Sequence, residues 1–304
     1  MLYKSAAAAA RRADATSATS TLFVGDCVDL IKKIPSSSVA LTITSPPYAM
    51  DKEYESGNTL DDFVAAHEAL VPELVRITKD GGSICWQVGY HVKDGIVTPL
   101  DFLVYEAFRK FPELVLRNRI IWTFGHGLHC ANRFSGRHET ILWFSKGDKF
   151  SFNLDDVRIP QKYPGKRANR GPRKGEYSGN PKGKNPSDVW DIPNVKSNHV
   201  EKLDHPCQFP VGLAQRMIKA LTTPGDLIFD PFSGVASSGV AALVENRRYI
   251  GAELNPKYAE IAETRLKEAV AGSVKLRPDV PVYVPTAGEA VAKRPAHFAA
   301  PLTE

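Results

Sequence analysis

Ser45-Pro46-Pro47-Tyr48 closes the apolar run Val39-Ala40-Leu41-Thr42-Ile43-Thr44, and that combination of residues can do chemistry. Neither proline can donate a backbone hydrogen bond, and Ser45 and Pro46, each preceding a proline, are pushed away from helical geometry. The pattern predicts a buried strand that stops abruptly in a rigid corner. Such a corner presents one hydroxyl, bare carbonyl oxygens and one aromatic face. Ligands of open α/β sheets bind at the carboxyl ends of strands, so these groups would face a crevice. A simple strand-ending turn is the alternative reading.

A second anchor lies far downstream, at Asp226-Leu227-Ile228-Phe229-Asp230-Pro231-Phe232-Ser233-Gly234-Val235-Ala236-Ser237-Ser238-Gly239. An apolar strand runs into a turn of small residues, and Val240-Ala241-Ala242-Leu243 continues as a helix. The unit is strand, tight loop, helix, and its loop lets backbone approach a ligand closely. An acid at the strand tip and free amides at the helix start suit a molecule carrying an ammonium and a carboxylate. Arg248-Tyr249-Ile250-Gly251-Ala252-Glu253 reads as the next strand, ending in a carboxylate placed to accept both hydroxyls of a ribose.

Together these segments resemble the amino-methyltransferases of DNA, which make N4-methylcytosine or N6-methyladenine from S-adenosyl-L-methionine. Ser45-Pro46-Pro47-Tyr48 is similar to the family's catalytic motif and Asp230-Pro231-Phe232-x-Gly234 to its cofactor motif. Their order, catalytic corner first, resembles the circularly permuted β subgroup. Between them, Arg137-His138-Glu139-Thr140-Ile141-Leu142-Trp143-Phe144 resembles the strand near the target-base pocket, and His205-Pro206-Cys207-Gln208-Phe209-Pro210 the segment preceding the cofactor loop. The likeness spans roughly residues 20 to 270. Two departures stand out: Gly234-Val235-Ala236-Ser237-Ser238 replaces the usual Gly-Ser-Gly-Thr-Thr, and Phe209 replaces a common lysine.

The resemblance implies a role for each matching residue. Ser45, Pro46, Pro47 and Tyr48 form the catalytic set; Asp230, Pro231, Phe232, Ser233, Gly234, Ser237, Ser238, Glu253 and Gln208 bind the cofactor. Asp26, with Cys27 beside it, would lie near the cofactor's adenine, although Gly25-Asp26 also reads as a turn and helix cap. An aromatic amine is a poor nucleophile because its lone pair is delocalised, so acceptors must hold its protons; the Ser45 hydroxyl and the Pro46 carbonyl are the candidates. The base must swing out of a duplex to be reached, and Tyr48 offers the face on which it would stack. Serine at the first motif position favours cytosine N4, with adenine N6 as the alternative. Pro206-Cys207-Gln208 also matches the nucleophile tripeptide of carbon-5 cytosine methyltransferases, but here it precedes the cofactor loop instead of following it. An RNA or protein N-methyltransferase and an inactive DNA-binding module are the remaining classes.

These groups need a scaffold, and the rest of the chain supplies one. Leu22 to Cys27 reads as a strand with an acid at its tip, followed by a helix over 28–34; Thr59 with Asp62 opens a helix over 59–79 that closes near Gly81-Gly82. Strands over 83–88, 118–124 and 139–144 and a helix over 98–110 complete the alternation. The fold class is α/β: a doubly wound, mainly parallel, Rossmann-like sheet of six or seven strands, with an antiparallel element where two strands adjoin. The expected division is a flexible leader over 1–20, a catalytic half over 21–146, a target-recognition insert over 147–200, a cofactor half over 201–272 and a tail over 273–304. In the insert, Arg158, Lys162, Lys166, Arg167, Arg170, Arg173 and Lys174 are candidates to neutralise DNA phosphates, with Tyr163, Tyr177, Asn180 and Asn185 near bases or sugars. A solvated loop is the alternative.

Composition agrees: 304 residues, 43% hydrophobic and 24% charged, with a formal net charge of +5, fit an ordinary globular chain with a mild excess of positive charge. Cys27, Cys85, Cys130 and Cys207 lack the paired spacing of a zinc site or disulfide framework, so no metal is expected and a reducing cytoplasm is the simplest location. The first residues lack a secretory signal's apolar centre, and no run is long enough for a membrane span. Double-stranded DNA is the implied partner; a cognate restriction endonuclease and a homodimer stay open.

Overall fold

The computed structural model describes residues 1–14, 19–48, 59–125, 127, 129–161, 166–196 and 198–278. The amino-terminal part contains β1 (Leu2–Tyr3), α1 (Ala6–Asp14), β2 (Ser20–Val24), α2 (Cys27–Ile31), β3 (Val39–Thr44), α3 (Leu60–Ile77) and β4 (Thr78–Val88). A hairpin of β5 (Tyr90–Lys93) and β6 (Ile96–Pro99) follows, then α4 (Leu100–Phe108), β7 (Leu114–Thr123) and β8 (His138–Lys146). The remainder holds β9 (Val189–Asp191), α5 (Val211–Leu221), β10 (Leu227–Asp230), α6 (Ser237–Val244), β11 (Arg248–Glu253) and α7 (Pro256–Val270).

The main sheet has nine strands in the order β1-β2-β11-β10-β3-β4-β8-β7-β9. Only the pairs β4·β8 and β7·β8 are antiparallel. The expected six or seven strands are there; the two extra ones, β1 and β9, are edge strands of two and three residues, too short to leave a periodic signal. Strands β3 and β10 are buried along their whole length, the reason they read as unbroken apolar runs. Helices α1 to α4 cover one face and α5 to α7 the other, each over its own apolar layer. Thr59 forms the expected reciprocal cap with Asp62, but α3 ends at Ile77 and Gly81-Gly82 lie inside β4.

The expected domain boundaries differ from the structure at three places. Residues 2–14 are not a loose leader. Ala9 and Ala13 are buried against the sheet, β1 pairs with β2, and the Arg248 guanidinium donates to the Ala13 carbonyl at 2.9 Å. A run of alanines has high helix propensity and lets a helix pack closely on a sheet, although its low hydrophobicity resembles a linker. The insert does not begin at 147 either: Phe150 and Phe152 pack on Trp143, and the Asn153 amide donates to the Thr222 carbonyl at 2.8 Å. At the other end, residues 273–278 are not free tail, since Val274 and Leu276 pack on the core and the Arg277 amide donates to Glu201 at 3.1 Å. The tail beyond 278 lies outside the described residues.

No helix among the described residues is long and apolar enough to cross a membrane, and no cluster of three or more metal-binding side chains occurs among them. None of the four cysteines forms a disulfide.

Candidate active site

Strands β2, β11, β10 and β3 run parallel, so the residues at their carboxyl ends, Asp26, Glu253, Asp230 and Ser45, meet along one edge of the sheet. A cavity of about 1220 Å³ opens there. The double-proline corner (Ser45 to Tyr48) and the loop after β10 (Pro231 to Val235) both line it, together with Asp26, Cys27, Ser237, Gln208 and Glu253. The two anchors, nearly two hundred residues apart in sequence, share one chamber.

A direct bond holds them together. Thr44, the last residue of β3, donates its hydroxyl to Asp230 Oδ1 at 2.6 Å. The Phe232 amide donates to the same oxygen at 3.0 Å, and the Ser238 hydroxyl donates to the other. Asp230 is fully buried and does not line the cavity. Burial raises its carboxyl to about 6 despite three donors. The sequence reading placed Asp230 and Ser238 on the cofactor; neither lines the chamber, and both lie behind the loop, as a knot tying it to β3. Thr44 carried no signal, because a threonine in a strand is ordinary.

Inside the chamber, the Ser45 and Tyr48 hydroxyls lie 3.0 Å apart, and the Gln87 amide donates to Tyr48 Oη at 2.9 Å and to Glu139. Burial, reinforced by the Glu139 charge, pushes the Tyr48 phenol well above its usual range, so it stays protonated. Gln87 was overlooked in sequence, although a glutamine within the buried strand Ser83–Val88 was a usable signal.

Glu253 stands on the wall of the chamber in a fixed orientation. Its carboxylate accepts from the Gly234 amide and the Asn255 amide, each at 2.8 Å, which fixes its orientation and leaves a second lone pair on each oxygen. Burial raises its carboxyl above the usual range. Gly234 has φ +51, and a Cβ there would lie 3.1 Å from the His205 ring, so the loop needs a glycine at this point. Ala236 adopts φ 57 without that freedom, at the position where the family pattern has its next glycine. Arg265, 4% exposed on α7, holds the turn by donating to the Val235 carbonyl at 3.1 Å and to Ser237 Oγ at 3.0 Å. Neither His205 nor Arg265 was given a role from sequence.

The other expected cofactor residues divide. Asp26 is both a cap and a lining residue, since it accepts from the Val28 amide at 2.8 Å and stands at the cavity wall. Cys27 lines the wall beside it, its thiol raised to about 12 by burial and by Asp26. Gln208 lines the cavity, but both ends of its amide bind its own loop, at the Glu201 carbonyl and the Leu203 amide.

Among the DNA candidates, Arg158 is largely buried and engaged with Asp155 and the Gly183 carbonyl, so it is structural. Lys162 and Tyr163 lie outside the described residues. Residues 166–178 are not structureless: the Ala168 amide donates to Glu176 and the Ser178 amide to Lys166, closing a hairpin with Arg167 over the Tyr177 ring at 4.2 Å. Lys166, Arg167, Arg170, Arg173 and Lys174 are exposed on it, Arg173 paired with Glu176. None of them lines the chamber among the described residues.

The sequence profile of the N6/N4 DNA methylases matches residues 39–264. The chain belongs to that family. It is 42% identical over 245 residues to the type II methyltransferase M.BglII of Bacillus subtilis, covering 79% of this chain and 67% of the relative. DNA adenine methyltransferase YhdJ of Escherichia coli K12 is 30% identical over 254 residues, covering 82% and 83%. The PvuII cytosine-N4-specific DNA methyltransferase superimposes with a TM-score of 0.66 at 21% identity, over 83% of this methylase and 92% of that chain. TTHA0409 of Thermus thermophilus, solved with S-adenosyl-L-methionine, gives 0.59 at 26% identity, over 86% and 99%. The methylase's site fits that cofactor: the Glu253 carboxylate, fixed by two backbone amides, lines the chamber beside the Gly234 turn.

Cys207 also lines the chamber, on the segment before the cofactor loop, and its amide donates to His205 Nδ1 at 3.2 Å. In an amine methylase it has no nucleophilic part to play. Cys207→Ser is expected to keep turnover within about twofold in a tritiated-methyl transfer assay, since serine preserves size and polarity at an exposed position. Abolished turnover with an unchanged melting temperature would restore the covalent carbon-5 mechanism.

Proposed function

We propose that this S-adenosyl-L-methionine-dependent DNA methyltransferase modifies N4 of cytosine in a flipped-out base. The observation that carries the reading is the serine at the head of the corner, its hydroxyl held 3.0 Å from Tyr48 on the wall of the chamber. The Ser45 hydroxyl and the Pro46 carbonyl hold the amine protons and draw the nitrogen out of conjugation. Tyr48, fixed through its hydroxyl by Gln87, supports the base by stacking. Glu253 and Asp26 hold the cofactor's ribose and adenine, and Phe232, with its ring 6.2 Å from Trp86, forms the floor of the loop. The bound cofactor supplies a methyl group on a sulfonium, a good leaving group. The protein's task is therefore alignment of nitrogen and methyl carbon, which can be worth several orders of magnitude in rate.

Adenine N6 is the second reading, favoured by the adenine-specific relative. In both, the hairpin cations Lys166, Arg170 and Lys174 meet duplex phosphates, and residues within 147–200 choose the sequence. A cytoplasmic location beside the DNA, a companion endonuclease of the same specificity and a homodimer belong to the same proposal, and the type II relative supports the endonuclease.

The test is nucleoside mass spectrometry of DNA from a methylation-deficient host expressing the protein. N4-methylcytosine is expected. N6-methyladenine would reassign the target, and unmodified DNA would overturn the activity.

A further inference from the structure

We propose that Phe134 is the wedge that enters the duplex when the target base leaves it. This rests on the DNA methyltransferase reading and adds a residue that none of the recognised motifs contains. Phe134 is 99% exposed, more than any other large hydrophobic side chain among the described residues. Its surroundings are anchored. The Phe124 amide donates to the Arg137 carbonyl at 3.0 Å, closing the loop between β7 and β8. Within the loop, the Cys130 amide donates to Ser135 Oγ at 3.1 Å, and the Arg133 guanidinium lies 6.0 Å from the centre of the Tyr90 ring. Gly136 is pressed so closely against Tyr90 that a Cβ there would overlap its hydroxyl. The residues on both sides of Phe134 are thus held, while its ring projects into solvent.

Position gives the ring its partner. Gly127, Cys130, Arg133, Gly136 and His138, from the same loop, line the chamber that receives the base, so Phe134 stands at its rim. From Thr123 to His138 the sequence has Arg133, Arg137 and three histidines but no acidic residue, a charge suited to the phosphates flanking an opened site. Extruding a base costs stacking and leaves a gap. Apolar wedges inserted at such steps stabilise the opened duplex, and an aromatic ring can stack on the neighbouring base in place of the one withdrawn. Protein-partner binding, the competing use for an exposed phenylalanine, does not account for its place beside the base chamber.

The experiment compares the full-length wild type with Phe134→Ala and Phe134→Trp on two duplex oligonucleotides carrying the site found by sequencing methylated plasmid DNA. One duplex is fully paired; in the other the target faces an abasic position, which removes the pairing to be broken. On the paired duplex, Phe134→Ala is expected to methylate about tenfold more slowly, matching the cost of unstacking, while Phe134→Trp stays near wild type. On the abasic duplex, Phe134→Ala should return to within about twofold of wild type. With a fluorescent analogue of the target base in its place, pyrrolocytosine for cytosine or 2-aminopurine for adenine, the fluorescence rise on binding should be reduced in Phe134→Ala. Equal losses on both duplexes, no loss on either, or a change confined to oligomeric state would each overturn the wedge. A wild type that methylates neither duplex would instead overturn the parent reading.

Discussion

Ser45→Ala and Tyr48→Ala are each expected to lower turnover by about a hundredfold, roughly 3 kcal/mol of transition-state stabilisation, while the affinity for S-adenosyl-L-methionine changes by no more than severalfold. In the proposed mechanism Ser45 offers an acceptor for an amine proton, and removing one such pre-placed group typically costs about two orders of magnitude. In the same proposal Tyr48 offers a stacking face, worth about 1–3 kcal/mol per base, and its hydroxyl joins Ser45 to Gln87. The bonds that fix Glu253 and the Gly234 turn come from backbone amides and from Arg265, and none from the corner, the basis for sparing cofactor affinity. Tyr48→Phe separates the two contributions: the ring is kept and the hydroxyl bridge lost, so a drop of about tenfold or less is expected. Steady-state kinetics with cofactor titration by calorimetry checks all three variants. Parallel losses of turnover and cofactor affinity in Ser45→Ala would contradict the division of labour.

Asp230 behaves differently, because it serves both halves of the site. Asp230→Ala leaves the Thr44 hydroxyl, the Ser238 hydroxyl and the Phe232 amide without their acceptor in a fully buried position, at a cost of about 3 kcal/mol or more. Cofactor affinity and turnover should fall together, in contrast with the corner variants. Asp230→Asn keeps the shape and removes the charge, which gives a pH signature. The carboxyl titrates at about 6 in the fold against 3.8 unfolded, so the folded state binds more protons between those values. The contribution is fully present below pH 3.8 and is lost as pH rises through 6, amounting to about 3 kcal/mol. Urea unfolding at pH 4.5 and 7.5 should show the wild type losing stability relative to Asp230→Asn as pH rises. His67, buried and held near 4, runs the opposite way, but it is common to both proteins and cancels in the difference. The Glu253 charge also raises Asp230, and Tyr249 is pushed above its usual value by its own burial and by Asp230. A wild type and variant with identical pH dependence would mean that Asp230 is not the ionised centre of the knot.

The strands that build the chamber were legible because central parallel strands are apolar on both faces, as 39–44 and 227–230 are. The double proline marked where one strand must end. What stayed hidden depended on tertiary pairing. An aspartate at a strand tip has the same local sequence whether it faces a ligand or a neighbouring strand, and only the β10·β3 pairing turns Asp230 toward Thr44. Gln208 likewise has the local sequence of a ligand residue, while its amide holds its own loop. The basic stretch read as loose because its hairpin is closed by an arginine stacked on a tyrosine ten residues away, a contact with no periodicity. The alanine-rich start was misread because hydrophobicity understates what small residues gain by close approach.

The central claim is that the loop after β10 and the corner after β3 form one reaction chamber. A crystal structure of the protein with S-adenosylhomocysteine measures this directly. The account predicts the ribose on Glu253 and the sulfur facing the Pro46 carbonyl and the Ser45 hydroxyl across the chamber. A cofactor bound with its sulfur turned away from that corner, or held in another part of the molecule, would contradict it.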